Sequence, residues 1–272
     1  MNSRELPNAT ITRPELVSGV RAQNLMLTYV TPRSTTYAVR DVSMDIGARD
    51  FAGIVGPSGS GKSSLLYLMS GLKTATSGDV FFDEFHYSAA SATEKLDFRR
   101  RAFGFIFQQP HLVPYLSVLE NVLVPIENPT PRDKKRALEL LESLGIAELA
   151  PKFPNECSGG ERVRASMARG LVHRPTWLWV DEPTASLDHT TGKMVMDVLK
   201  SQKEHGALVV VTHDLEILSE ADAVFRMRDG VLLEKFVPHD GLRDEMGVSQ
   251  SVSQGVAQDV SQNGQNDSRA VA

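Results

Sequence analysis

Nine consecutive residues, Gly56-Pro57-Ser58-Gly59-Ser60-Gly61-Lys62-Ser63-Ser64, restrict what this chain can become more than any other segment. They fit the pattern G-x-x-x-x-G-K-[ST]. An apolar run, Phe51-Ala52-Gly53-Ile54-Val55, precedes them and Leu65-Leu66-Tyr67-Leu68-Met69 follows. The run reads as a buried strand and the segment after the loop as a helix, so the three together predict a P-loop. Glycines let successive backbone N–H groups close around phosphates, and the helix N-terminus adds positive potential. In such a loop Lys62 reaches the β- and γ-phosphates and the Ser63 hydroxyl ligates Mg²⁺. From average residue usage, a chance match in a chain this long is on the order of 1%. The expected ligand is a nucleoside triphosphate.

At 272 residues the chain is long enough for one large core, or one core with a lobe. Its net charge of −5 gives no support to a broad basic footprint, so no nucleic-acid partner is expected. The longest apolar stretches, such as Ala207 to Val211, fall far short of the roughly 20 residues that cross a bilayer. Met1 to Gly19 lacks the apolar centre of a signal peptide. By itself the chain is expected to be cytosolic. The single cysteine, Cys157, fits a reducing compartment, and no neighbouring base in the sequence makes it a nucleophile.

Composition separates three regions: a loose leader over 1–19, a body over 20–240 dense in strands and amphipathic helices, and a Ser/Gln-rich stretch over 246–272. From Val248 to Val260 a valine recurs every four residues, which could line a weak helical stripe. The polar and glycine content of that stretch favours disorder. In the body, Val20–Tyr29 and Tyr37–Ile46 read as strands joined by Thr31-Pro32-Arg33-Ser34, and Phe103–Phe107 as another strand. A mostly helical section runs from Leu116 to Pro154 and includes a helix over Lys134–Gly145. Helix Glu161–His173, strand Trp177–Val180, helix Thr190–His205 and strand Leu208–Thr212 follow. A hairpin turning at Asp229-Gly230 closes the body. Strands alternating with helices predict an α/β fold with a parallel central sheet, whose ligands sit at the carboxyl ends of the strands.

Strand Trp177-Leu178-Trp179-Val180 ends in Asp181-Glu182. Beside a P-loop, Asp181 is placed to hold Mg²⁺, and Glu182 to orient and deprotonate the water that attacks the γ-phosphate. Ser158 and Glu161 form S-x-x-E before a helix, a capping box by itself.

Cys157-Ser158-Gly159-Gly160-Glu161 resembles the signature motif of ATP-binding cassette (ABC) ATPases, and further landmarks of that family occur in order. Gln108 matches the Q-loop glutamine, which the family places at the metal and the attacking water. Ala185-Ser186-Leu187-Asp188 matches the D-loop, His213 the switch histidine that contacts the γ-phosphate, and Tyr29 the aromatic residue that stacks on adenine. The resemblance covers about residues 20–237. It implies the ABC-type P-loop NTPase fold: a mostly parallel core sheet, an antiparallel β subdomain, and a helical signature-motif lobe at about 110–172. It also implies an ATPase using ATP and Mg²⁺. Ser158, Gly159, Gly160 and Glu161 would face the γ-phosphate held by a second copy, and Ser186 and Asp188 would link the two sites across that dimer. Ser63-Ser64 in place of the commoner Ser-Thr, Cys157 in place of leucine, and Ala185-Ser186 in place of Gly-Asn remove no charged catalytic group, so hydrolysis is expected.

Gly78-Asp79-Val80, Phe98-Arg99, Phe103 to Gln109 and Leu119-Glu120-Asn121-Val122 are similar to the lipoprotein-release and macrolide-export (LolD- and MacB-like) branch. By that resemblance the partner is an integral membrane permease docked on the loop at about Gln109–Leu116, which would hold the chain at the cytoplasmic face of the inner membrane. The alternative is a soluble ABC ATPase acting on ribosomes or DNA. A P-loop kinase or GTPase fits less well, since no N-K-x-D guanine-reading segment is present.

Overall fold

The computed structural model describes residues 19–238. The expected tail over 246–272 lies outside the described residues, as does the expected leader apart from Gly19. β1 (Gly19–Thr31) and β2 (Ser34–Gly47) form a hairpin through Pro32-Arg33. β3 (Phe51–Val55) enters the P-loop, and α1 (Lys62–Met69) leaves it. Then come β4 (Ser77–Phe82), β5 (Phe85–His86), α2 (Ala92–Ala102) and β6 (Phe103–Ile106). The helical section contains α3 (Val118–Leu123), α4 (Pro131–Ser143) and α5 (Gly159–Leu171). β7 (Trp177–Asp181), α6 (His189–Lys200), β8 (Ala207–Val211), β9 (Ala223–Arg228) and β10 (Val231–Phe236) complete the body.

Two sheets result. The central sheet has the order β10-β9-β3-β8-β7-β6, with β9, β3, β8, β7 and β6 mutually parallel and β10 antiparallel at the edge. The second sheet, β2-β1-β4-β5, is antiparallel throughout. β3, β7 and β8 are buried at every position because both faces of the central sheet are covered. Side-chain alternation divides the core accordingly. Phe51, Leu178, Val180, Leu208 and Val210 pack with α3, α4, α5 and α6 through residues such as Val122, Leu141, Met167 and Val195. Ile54, Trp177, Trp179, Val209 and Val211 point the other way, onto Leu65, Leu66 and Met69 of α1 and the inner face of the antiparallel sheet. Trp177 and Trp179, both fully buried, stack at 5.9 Å between centroids on that face. Each is expected to contribute about 3 kcal/mol or more through burial.

Because β3, β6, β7 and β8 run parallel, Val55, Ile106, Asp181 and Val211 all end on the same edge of the sheet. The P-loop, the residues after β6, the acidic pair and the segment leading to His213 are therefore gathered at that edge by topology alone.

Helix boundaries depart from the sequence reading: α4 runs Pro131–Ser143 rather than Lys134–Gly145, because Thr130 caps it and Pro131 opens it, and α5 and α6 shift as well. α5 begins at Gly159 rather than Glu161, because Ser158 caps it and the two glycines already lie in its first turn. α6 ends at Lys200 and tightens into a 3₁₀ turn over Ser201–Glu204, short of the expected His205.

Candidate functional site

One cluster centres on Asp181, at the end of β7 and only 3% exposed. The Ser63 hydroxyl donates to its Oδ1 at 2.9 Å, and the Tyr67 hydroxyl donates to its Oδ2 at 2.7 Å. Ser63 and Tyr67 are one turn apart on α1, so a single helix face presents both donors. The sequence reading missed Tyr67; its signal is the four-residue spacing from Ser63. Burial, then the bond to Asp181, raises the Tyr67 hydroxyl well above the ordinary tyrosine value, so it remains a donor.

Glu182 follows in the left-handed region, at φ 49°, where a non-glycine residue carries strain. Its N–H donates to the Val211 carbonyl at 2.9 Å, which locks it to the end of β8. The side chain is mostly buried, with Oε2 2.9 Å from Nδ1 of the more exposed His213. An imidazole carrying its hydrogen on Nδ1 donates it to this carboxylate oxygen. Gln108 lies exposed two residues beyond the end of β6, the strand paired with β7.

In the P-loop, Gly56 (φ 151°) and Gly61 (φ 99°) adopt angles that side chains disfavour. A Cβ at Gly56 would lie 2.1 Å from the Met227 carbonyl oxygen, and one at Gly61 would lie 2.2 Å from that of Ala38. The loop thus depends on glycine at both positions. Lys62 is buried, and its ammonium donates to the carbonyls of Gly56 (2.9 Å) and Pro57 (3.0 Å), curling over the loop it belongs to. The Ser60 hydroxyl is buried inside the loop without a partner. Pro57, Ser58, Gly59 and Ser64 complete the turn into α1. Tyr29, near the end of β1 and half-exposed, is held by Lys73, whose ammonium donates to the phenol oxygen and lies 4.9 Å from the ring centroid.

The signature residues form a second group. Ser158 caps α5: its N–H donates to Glu161 Oε2 at 2.7 Å, and the Glu161 N–H donates to Ser158 Oγ at 3.4 Å. The bond from the Ser158 backbone, followed by that from its hydroxyl, lowers the Glu161 carboxyl below its usual range. Leu187 approaches Gly160, with a methyl 3.4 Å from where a Cβ would stand, so the segment Ser186–Asp188 adjoins the start of α5. Asp188 caps α6 through the Thr191 N–H (3.0 Å) and hydroxyl (2.6 Å). Ser158, Gly159 and Ser186 are exposed. Among the described residues no hydrogen bond or ion pair joins this group to the P-loop.

The segment from Gln109 to Leu116 is fixed from beneath by two side chains. Arg169 of α5, largely buried, donates to the carbonyls of Pro110 and His111, both at 2.7 Å. Asn121 of α3 is fully buried, accepts from the Val113 N–H and donates to the carbonyls of Val113 and Leu116. Tyr115 is left 79% exposed on top. An open groove of about 620 Å³ runs alongside, lined by residues including Phe105, Phe107, His111, Glu127 and Arg169.

A P-loop fed by a buried parallel strand, with an acidic strand end holding its serine, defines a P-loop nucleoside triphosphatase. The sequence profile of the ABC transporter family matches residues 39–185. An uncharacterized ABC transporter ATP-binding protein of Methanocaldococcus jannaschii is 37% identical over 219 residues, spanning 79% of this chain and 98% of that protein. Lipoprotein-releasing system ATP-binding protein LolD 1 of Rhodopirellula baltica is 38% identical over 216 residues, spanning 78% and 94%. A dimeric, post-hydrolysis ATP-binding cassette bound to ADP and Pi superposes with a TM-score of 0.76 at 33% identity, covering 81% of this chain and 99% of that one. The chain belongs to the ABC transporter family, and its place there is that of the ATP-binding ATPase subunit.

Proposed function

We propose that two copies of this chain close on two ATP molecules, and that hydrolysis reopens them to drive a membrane permease of the LolD and MacB kind. The observation that carries the reading is the convergence of Ser63, Asp181, Glu182 and His213 beside the P-loop at one sheet edge. Lys62 would exchange its two carbonyl partners for phosphate oxygens, a stronger, charge-assisted bond. Tyr29 would stack on the adenine, steadied by Lys73. Glu182 would accept the proton of the attacking water, with His213 and Gln108 positioning that water.

The donor set suits Mg²⁺. Ser63, Asp181 and Gln108 offer only oxygen ligands, and Mg²⁺ ordinarily takes one or two carboxylates and fills its shell with phosphate and water. Held by these residues, Mg²⁺ would supply charge neutralisation on the terminal phosphates.

Ser158, Gly159, Gly160 and Glu161 would complete the site of the opposite copy, with the N-terminus of α5 turned to the γ-phosphate. Ser186 and Asp188 would join the two sites. No helix among the described residues is long and apolar enough to cross a membrane. The permease would hold the chain at the cytoplasmic face. The groove and the rigidly held Gln109–Leu116 loop suit an amphipathic helix from that partner. The LolD relatives carry the name of lipoprotein-releasing systems, and export, lipoprotein release or mechanical transmission is the corresponding work here.

The test is to purify tagged Glu182→Gln protein with ATP from detergent-solubilised membranes of the host. An integral membrane protein in stoichiometric amount is expected. Ribosomal or DNA-associated proteins in its place would overturn the transport role and favour the soluble alternative. Tyr115→Asp should reduce the permease recovered per chain by about tenfold or more, since a charge placed in an apolar contact costs more than about 1.4 kcal/mol. Undiminished recovery would remove this loop from the docking surface.

A further inference from the structure

We propose that Tyr67 is a positioning residue for the metal-holding carboxylate: its hydroxyl fixes the orientation of Asp181, keeping Oδ1 directed to Ser63 and to the Mg²⁺ that the pair would share. This role rests on the reading of Ser63 and Asp181 as the metal site.

The two oxygens of Asp181 are divided between two donors, Oδ1 to Ser63 at 2.9 Å and Oδ2 to Tyr67 at 2.7 Å. A carboxylate bonded on one oxygen alone can swing about its χ2 bond; bonded on both, with the group 3% exposed, it has one orientation. The donor is itself held. The Tyr67 ring packs against Phe107 at 6.3 Å between centroids, and Phe107 stacks on Phe105 at 5.8 Å with the planes 6° apart. The Tyr67 carbonyl accepts the Lys73 N–H at 2.9 Å, fixing the helix end from which the ring projects. Groups that hydrogen-bond a metal-ligating carboxylate from behind typically change metal affinity by about 10- to 100-fold.

Tyr67→Phe keeps the ring and its packing and removes only the donor. Equilibrium binding of a fluorescent ATP analogue, titrated with Mg²⁺ and repeated without metal, separates positioning from folding. Binding of Mn²⁺ to the protein–ADP complex, followed by electron paramagnetic resonance, reads the metal without any turnover. The expected result is a rise of about 10- to 100-fold in the Mg²⁺ and Mn²⁺ half-saturation, with metal-free nucleotide affinity within about twofold of wild type. An unchanged half-saturation overturns the proposal. So does an equal weakening with and without metal, which would mark Tyr67 as a packing residue. Asp181→Asn in the same assay isolates the underlying reading. If that variant binds Mg²⁺ normally, the metal site itself is wrong; if it weakens Mg²⁺ and Tyr67→Phe does not, only the role of Tyr67 fails.

Discussion

Glu182→Gln is expected to slow ATP hydrolysis by about 10²- to 10⁴-fold while leaving ATP binding in place, the usual size of a lost general base. The amide matches the carboxylate in shape and can still bond to His213, so the strand end and its strained backbone at φ 49° should persist. What it cannot do is accept a proton from water. The ATP-bound state should therefore accumulate, and light scattering should show a dimer that forms with ATP and outlasts the wild-type one. Single-turnover hydrolysis is the decisive readout: a wild-type rate would remove Glu182 from the mechanism. His213→Ala should also slow the reaction. Added to Glu182→Gln it should cost little more, because residues acting as a unit are not additive. A full additional loss in the double variant would show that the 2.9 Å contact between them is incidental.

Much of the candidate site is legible in the amino-acid sequence because its parts are tied to short-range pattern. The P-loop needs glycine where φ is positive, and Asp181-Glu182 ends a run too apolar to be anything but a buried strand. What pattern does not carry is which groups meet. The bond between Glu182 and His213 spans 31 positions and that between Ser63 and Asp181 spans 118; only the strand order β3-β8-β7 brings them together. Tyr67 escapes notice for a related reason: on α1 it reads as one more apolar helix residue, and its hydroxyl acquires meaning only opposite Asp181. In the fold, β4 is hidden by its opening Ser77-Gly78-Asp79, which looks like a turn. Gly78 sits at φ 91° where β1 is bulged, and a Cβ there would lie 2.3 Å from the Asn24 carbonyl oxygen. α2 buries only Ala102 among its residues and so shows no apolar stripe. The signal it does carry is its capping box, Ser91 with Glu94, the same device that starts α3 at Ser117 and α5 at Ser158.

Gly159→Leu should leave the isolated chain folded and able to bind ATP, yet abolish the ATP-driven dimer and lower turnover by about 10²-fold or more, the scale of losing one preorganised transition-state contact. Unlike Gly56 and Gly61, Gly159 has no positive φ, and a Cβ built on it meets nothing within 4 Å. It opens α5 directly after the Ser158 cap, where leucine is the better helix former, so thermal stability should hold or rise slightly. Among the described residues nothing explains a residue without a side chain at this place. An approach from outside does: N–H groups at a helix N-terminus can close on a phosphate only where no side chain keeps it away. The readouts are the melting temperature, nucleotide affinity of the monomer, and dimer mass with ATP in the Glu182→Gln background. A stable monomer that binds ATP and no longer dimerises is the expected combination. A dimer of undiminished affinity would mean that α5 does not face the second nucleotide, and the two-copy mechanism would have to be rebuilt on another surface.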